Sequence, residues 1–129
     1  YPVPARRTVP GIVGWWEGRR IPYNALVGGA GLFTLATHAL FTALPPLSAP
    51  ATVPLVAVLA YGLMANVMYT FGSVVEVAAE TLFRGELLPI GPALYRMGLT
   101  FALGLTLLPA VLIVGIWIVA VLTTLLGLA

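Results

Sequence analysis

A stripe of polar side chains runs along one otherwise apolar segment of the chain. Its members recur every three or four residues and are Asn66, Tyr69, Thr70, Ser73, Glu76 and Glu80. On a helix this spacing puts them on one face. Amides, hydroxyls and carboxylates are costly in hydrocarbon. We therefore expect the face to meet neighbouring helices, a partner subunit or water.

Depth along the helix divides this stripe into two parts. Counted from Thr52, Asn66 lies ~21 Å along a helix and Glu76 ~36 Å, near the cytoplasmic edge of the bilayer. We expect Asn66 to Ser73 to provide hydrogen bonds between helices. We expect Glu76 and Glu80 to be interfacial and to pair with water or with arginines, namely Arg19, Arg20, Arg84 and Arg96. The alternative is an ion or proton path through Asn66 and Glu76 in a small homo-oligomeric transporter or channel.

His38 is the only histidine, and it is the candidate cofactor-binding residue. A neutral imidazole in the bilayer can be the axial ligand of a haem iron or of a chlorophyll-type pigment, or it can hydrogen-bond a neighbouring helix. Helical rise separates it from Glu76 by more than ~15 Å along the membrane normal. Since an acid–base pair must lie within hydrogen-bond reach or one water apart, the two residues cannot form a relay.

Catalytic and metal-binding patterns are missing from the sequence. The chain has no cysteine, which excludes disulfides and thiolate-ligated zinc or iron–sulfur centres. It contains no Walker motif, GxGxxG turn or HExxH pair. The single histidine has no carboxylate near it with which to activate a nucleophile. We expect a protein that is not an enzyme and that holds no metal site.

Composition places the chain among multi-pass membrane proteins. Of its 129 residues, 60% are hydrophobic and 8% charged, whereas soluble domains are about 45–50% apolar and about a quarter charged. The net charge of +2 is too small to form a nucleic-acid surface. The predicted fold is therefore an all-α integral membrane protein in a lipid bilayer.

Apolar runs and breaks predict three transmembrane helices. They cover about residues 23–44, 52–83 and 93–128, within a transmembrane domain of residues 23–129. Residues 1–22 are interpreted as a Pro-rich, irregular, interfacial N-terminal arm. The third helix is long, and we expect it to be kinked at Pro109, which lacks an N–H. The alternative is two half-helices hinged at that proline.

Charge and aromatic placement predict the orientation. Three crossings put every arginine on one side, so the positive-inside rule makes the N-terminus cytoplasmic and the C-terminus external. The bacterial inner membrane is the expected location. Tryptophan rings suit the headgroup layer, and arginines can reach lipid phosphates. The predicted interface anchors are Trp15, Trp16, Arg19, Arg20 and Trp117.

Two short motifs resemble a pattern in small uncharacterised bacterial multi-pass membrane proteins. The first has the form W-E-x-R-R-x-x-Y-N and matches Trp16, Glu17, Arg19, Arg20, Tyr23 and Asn24. The second has the form A-N-x-x-Y-T-x-G-x-x-x-E and matches Ala65, Asn66, Tyr69, Thr70, Gly72 and Glu76. The resemblance implies no activity. It suggests that Asn24, Asn66, Tyr69 and Glu76 act together near the cytoplasmic end of the bundle.

These observations favour a non-enzymatic, small transmembrane subunit that packs into and stabilises a larger membrane complex. An energy-transducing complex, respiratory or photosynthetic, is the class considered. Small residues spaced by four, such as Ala25 with Gly29 and Gly98 with Ala102, could pack against other subunits or further copies of the chain. The expected helix-interface polar cluster is Asn24, Asn66, Tyr69, Thr70, Ser73 and Glu76. Rival hypotheses are a pigment- or haem-binding module through His38 and the transporter or channel described above.

Overall fold

Three long helices make up the part of the chain that the computed structural model describes, residues 8–50, 52–83 and 90–128. They are α1 (Val9–Ala43), α2 (Leu55–Phe83) and α3 (Gly91–Leu125), and no strand occurs among these residues. All three are long and apolar enough to cross a membrane. The predicted all-α fold with three transmembrane helices is therefore confirmed, as an integral, multi-pass membrane protein in contact with the bilayer.

The first helix begins well before the predicted boundary. The expectation of an irregular arm over residues 1–22 is wrong for residues 9–22, which are helical, while residues 1–7 lie outside the described residues. Thr8 caps the helix, because its Oγ1 accepts a hydrogen bond from the Gly11 N–H at 3.2 Å. Pro10 lies in the first turn, where a missing N–H removes no helical hydrogen bond.

A second proline, Pro22, lies inside α1 without ending it. An internal proline removes a backbone hydrogen bond, yet transmembrane helices tolerate it where neighbouring groups support the backbone. Trp16 and Tyr23, before and after this proline, are both buried against the other helices. Their packing supports α1 on both sides of the proline.

The third helix is continuous from Gly91 to Leu125 and contains Pro109. This observation excludes two half-helices hinged at that proline, whereas a kink there stays a prediction. Close to the proline, the Thr106 carbonyl accepts a hydrogen bond from the Thr34 hydroxyl at 2.8 Å. A hydrogen bond from α1 thus reaches α3 three residues before the proline.

The helices pack unevenly. α1 lies parallel to α3 and contacts it along most of its length, from the Trp15 and Tyr95 rings, whose centroids are 6.0 Å apart, to the Phe41 and Trp117 rings, whose centroids are 5.4 Å apart. α2 runs antiparallel, and its buried residues are confined to its C-terminal half, at Tyr69, Ser73 and Glu76. No residue from 55 to 68 is buried. A cleft therefore separates the N-terminal half of α2 from the α1–α3 pair.

Gly72 of α2 lies against the Trp16 ring of α1. A Cβ at this position would lie 2.9 Å from Cη2 of the Trp16 ring, closer than side-chain atoms pack. Trp16 is enclosed and cannot move away freely. We expect Gly72→Ala to lower the free energy of unfolding by about 1–3 kcal/mol, as overpacking does. Titration of the purified protein with SDS, followed by far-UV circular dichroism, measures this loss.

Gly62→Ala is the matched control on the same helix. A Cβ at Gly62 meets nothing within 4 Å, and alanine favours helix over glycine by about 1 kcal/mol. The control variant should be as stable as the unmodified protein or slightly more so. Equal stability of the two alanine variants would contradict close packing at Gly72.

Candidate functional site

A buried carboxylate, Glu76, lies where the three helices meet. Only 4% of Glu76 is exposed, and its Oε2 accepts a hydrogen bond from the Trp16 indole N–H at 2.6 Å. Trp16 itself is 2% exposed. Because the indole and the neighbouring helices enclose Glu76, the expected pairing with water is not favoured, whereas its position near the edge of the bilayer and its pairing with an arginine stay predictions. Glu80, one turn later, is half-buried.

The first residue of α3 completes this contact. A Cβ at Gly91 would lie 2.8 Å from Oε1 of Glu76, so only glycine lets the helix approach this closely. The N-terminus of a helix carries unpaired N–H groups and a partial positive charge, both of which favour a carboxylate. We call Trp16, Glu76 and Gly91 the junction, since one residue comes from each helix.

Aromatic rings surround the junction. The Tyr69 hydroxyl donates a hydrogen bond to the Trp16 carbonyl oxygen. The centroid of the Trp16 ring lies 5.3 Å from that of Tyr69 and 6.2 Å from that of Tyr95. On its other side Tyr69 packs against Tyr23, and the centroids of these two rings are 4.5 Å apart. Such pairs contribute about 0.5–1.5 kcal/mol each beyond area burial. The rings fix the orientation of the indole that reaches Glu76.

A second polar group lies beside the junction and joins α1 to α2 through Arg20. The guanidinium donates to both carboxylate oxygens of Glu17, at 2.6 and 2.8 Å. It also donates to Asn66 Oδ1 at 3.2 Å and to Thr70 Oγ1 at 2.9 Å. Its Cζ lies 4.8 Å from the centroid of the Tyr69 ring. One arginine thus connects a carboxylate of its own helix with two side chains of the next.

Asn24 and Asn66 extend this group by hydrogen-bonding each other. Each amide nitrogen donates to the other oxygen, at 3.0 and 2.8 Å. The Asn66 nitrogen also donates to the Gly62 carbonyl oxygen at 3.0 Å. Glu17, Arg20, Asn24, Asn66 and Thr70 form what we call the Arg20 cluster. Because its two amides hydrogen-bond each other, the cluster serves to connect α1 to α2.

The structure distributes the predicted polar cluster over two groups. Asn24, Asn66 and Thr70 belong to the Arg20 cluster, and Tyr69 and Glu76 contact Trp16. Ser73, which lies between Tyr69 and Glu76 in the sequence, is also buried, with 6% of its surface exposed. Sequence reasoning did not foresee Gly91 in the junction. It also assigned Trp16 and Arg20 to the membrane interface, although Trp16, Arg20 and Asn24 follow one another at intervals of four residues, which indicates one face of the helix.

The predicted interface anchors have different environments. Trp16 is enclosed by protein, so its ring has little surface left with which to contact a headgroup layer. Trp15 is half-buried and stacks with Arg19, whose Cζ lies 4.0 Å from the ring centroid. At the opposite end, the Trp117 indole N–H donates to the Pro45 carbonyl oxygen at 3.0 Å. Anchoring by Trp15, Arg19 and Trp117 stays a prediction.

His38 lies far from the junction, in the cleft beside α2. It is 22 positions from Trp16 along α1, equivalent to ~33 Å of helix. Its Nδ1 is buried and has no hydrogen-bond partner among the described residues. Among all the residues that the structure describes, no group of three His, Cys, Asp or Glu side chains is placed to hold a metal ion.

Comparison with known proteins found no relatives. No family model matches the chain, and neither a curated protein nor a solved structure matches it.

A double-mutant cycle measures the hydrogen bond at the junction. Trp16→Phe removes the indole N–H but keeps a ring, and Glu76→Leu removes the acceptor but keeps the bulk. Each variant should lose about 1–3 kcal/mol of unfolding free energy, since a buried polar group loses this hydrogen bond. The double variant should lose about 1 kcal/mol less than the sum of the two. SDS titration followed by circular dichroism provides the values.

Trp117→Phe is the matched control, because that indole donates to an uncharged and exposed backbone oxygen. We expect it to cost clearly less than Trp16→Phe. Additive losses in the cycle, or an equal cost for the two tryptophan variants, would contradict a strong bond between Trp16 and Glu76.

Proposed function

We propose that this protein is a small, non-enzymatic transmembrane subunit that packs into and stabilises a larger membrane assembly. Its observed polar contacts connect its own helices, as in the junction and the Arg20 cluster. What it offers to other molecules is chiefly the outer surface of the helices.

The observation that carries this proposal is an exposed row of small residues along α1. The row consists of Gly14, Gly18, Ala25 and Gly29, all exposed. A Cβ on any of the three glycines would meet nothing within 4 Å. These residues are therefore not used to bring α2 or α3 close. In membranes, rows of small residues allow backbones of neighbouring helices to approach each other closely.

The outward face of α2 supports the same proposal. Large apolar side chains recur on it at helical spacing and are more than half exposed: Val56, Leu59, Leu63, Val67, Phe71 and Val74. This face presents no polar group that would bind a water-soluble substrate. Lipid or further transmembrane helices are the partners that fit such a surface.

The transporter alternative gains less support. A carrier residue must be reachable by the ion or proton that it moves. Glu76 is buried within the junction, and the Asn66 side chain hydrogen-bonds Asn24 and Arg20. The pigment or haem alternative depends on His38 alone.

Purification in a mild detergent from the native membrane tests the proposal. A tagged chain should co-purify with at least one other membrane protein in fixed stoichiometry. Gly29→Leu should reduce that recovery by more than half, because the larger side chain blocks close approach along the row. The partner is identified by mass spectrometry.

Gly104→Leu is the matched control, an exposed glycine on α3 with nothing within 4 Å of a Cβ. Its recovery of the partner should equal that of the unmodified chain. A stable monomer, or an assembly that contains only further copies of this chain, would overturn the proposal.

A further inference from the structure

The cleft beside the N-terminal half of α2 is large enough to hold a small molecule. Its volume is about 520 Å³, within the range of about 300–1,000 Å³ that is usual for ligand sites. α1 and α3 form one wall, and α2 forms the other. Tyr61 crosses between the walls, with its hydroxyl 2.6 Å from Thr106 Oγ1.

Glycines make this cleft wide. Gly28 and Gly31 line it on α1, and Gly62 lines it on α2. A Cβ at Gly28 or Gly62 would meet nothing within 4 Å, and one at Gly31 would lie 3.8 Å from Thr106 Cγ2. The space therefore exists because glycines leave both walls without a side chain at these positions.

The shape and charge of the lining restrict the ligand. On α1 the lining extends from Asn24 to His38, ~21 Å of helix, so an elongated apolar molecule fits. No charged residue is among the lining residues that the structure describes. A phosphate head would be left without a countercharge, whereas a neutral head would not.

His38 supplies the polar contact, and its surroundings indicate which kind. Nδ1 is buried without a partner. A proton on Nδ1 would be an unpaired buried N–H, which is costly, so the favoured tautomer carries the proton on Nε2. Nε2 is then a hydrogen-bond donor. Ligation of a metal through Nε2 would need the opposite tautomer, in which metal-bound histidines almost always have a partner for the other N–H.

We propose that this cleft binds a neutral, lipid-soluble molecule of the isoprenoid-quinone class. A carbonyl oxygen of its head accepts a hydrogen bond from His38 Nε2, and its apolar tail lies along Gly28, Gly31 and Gly62. No chemical step is involved, since the site binds the molecule through one hydrogen bond and apolar contact. The site is internal to this chain and does not depend on the row of small residues that carries the proposed function.

Binding of decylubiquinone to the purified protein in detergent micelles tests this site. Equilibrium dialysis gives the dissociation constant, and the thermal unfolding midpoint should rise with quinone concentration because binding favours the folded state. His38→Phe should weaken binding about tenfold, the effect of one lost hydrogen bond. Gly28→Leu should abolish it by filling the cleft.

Controls separate the site from general partitioning and from loss of folding. Gly104→Leu makes the same chemical change on an exposed face of α3 and should bind normally. If circular dichroism shows that Gly28→Leu is unfolded, Gly62→Leu fills the cleft from the other wall. Haemin added to the unmodified protein should produce no His38-dependent absorbance shift.

Three results would overturn the proposal. One is quinone binding that is unchanged by His38→Phe and by the cleft-filling leucines. Another is a haemin spectrum that depends on His38. The third is equal, His38-independent binding of dioleoylphosphatidylglycerol, which would indicate a phospholipid surface. Each leaves the co-purification experiment unaffected, so the two proposals fail separately.

Discussion

The hydrogen bond between the Trp16 indole and the Glu76 carboxylate is the contact on which the bundle depends. A carboxylate enclosed by apolar helices is costly unless hydrogen bonds and a favourable potential compensate it. Trp16 supplies the first at 2.6 Å, and the N-terminus of α3 at Gly91 supplies the second. Because each helix contributes one residue, the position of all three helices is fixed at one point.

The other polar contacts follow from this junction. With Trp16 directed towards α2, the same face of α1 brings Arg20 and Asn24 against Asn66 and Thr70. The two sequence motifs, residues 16–24 and 65–76, thus pair with each other across α1 and α2. Away from the junction, α2 diverges from the α1–α3 pair, and the cleft opens beside His38. A bundle joined tightly at one end leaves space at the other.

The sequence was sufficient to predict the three helices and the inward direction of the stripe on α2. Hydropathy and length determine the first, and Tyr69, Ser73 and Glu76 are indeed the buried residues of α2. The start of α1 could not be predicted in this way, because Pro10, Gly11 and Pro22 resemble breaks locally while packing of Trp16 and Tyr23 overrides them. Helical rise gives the depth of Glu76 but not its partner, since depth says nothing about which ring encloses a side chain.

Double electron–electron resonance between pairs of spin labels tests most directly whether the bundle is fixed at one end and open at the other. The chain has no cysteine, so labels can be attached to introduced cysteines alone. Val13→Cys with Val74→Cys reports on the junction end, and Leu40→Cys with Leu59→Cys reports on the cleft end; all four side chains are exposed. In micelles without added quinone, the junction pair should give a narrow distance distribution and the cleft pair a clearly broader one. Equal widths, or a broader distribution at the junction, would contradict a bundle whose arrangement depends on Trp16 and Glu76.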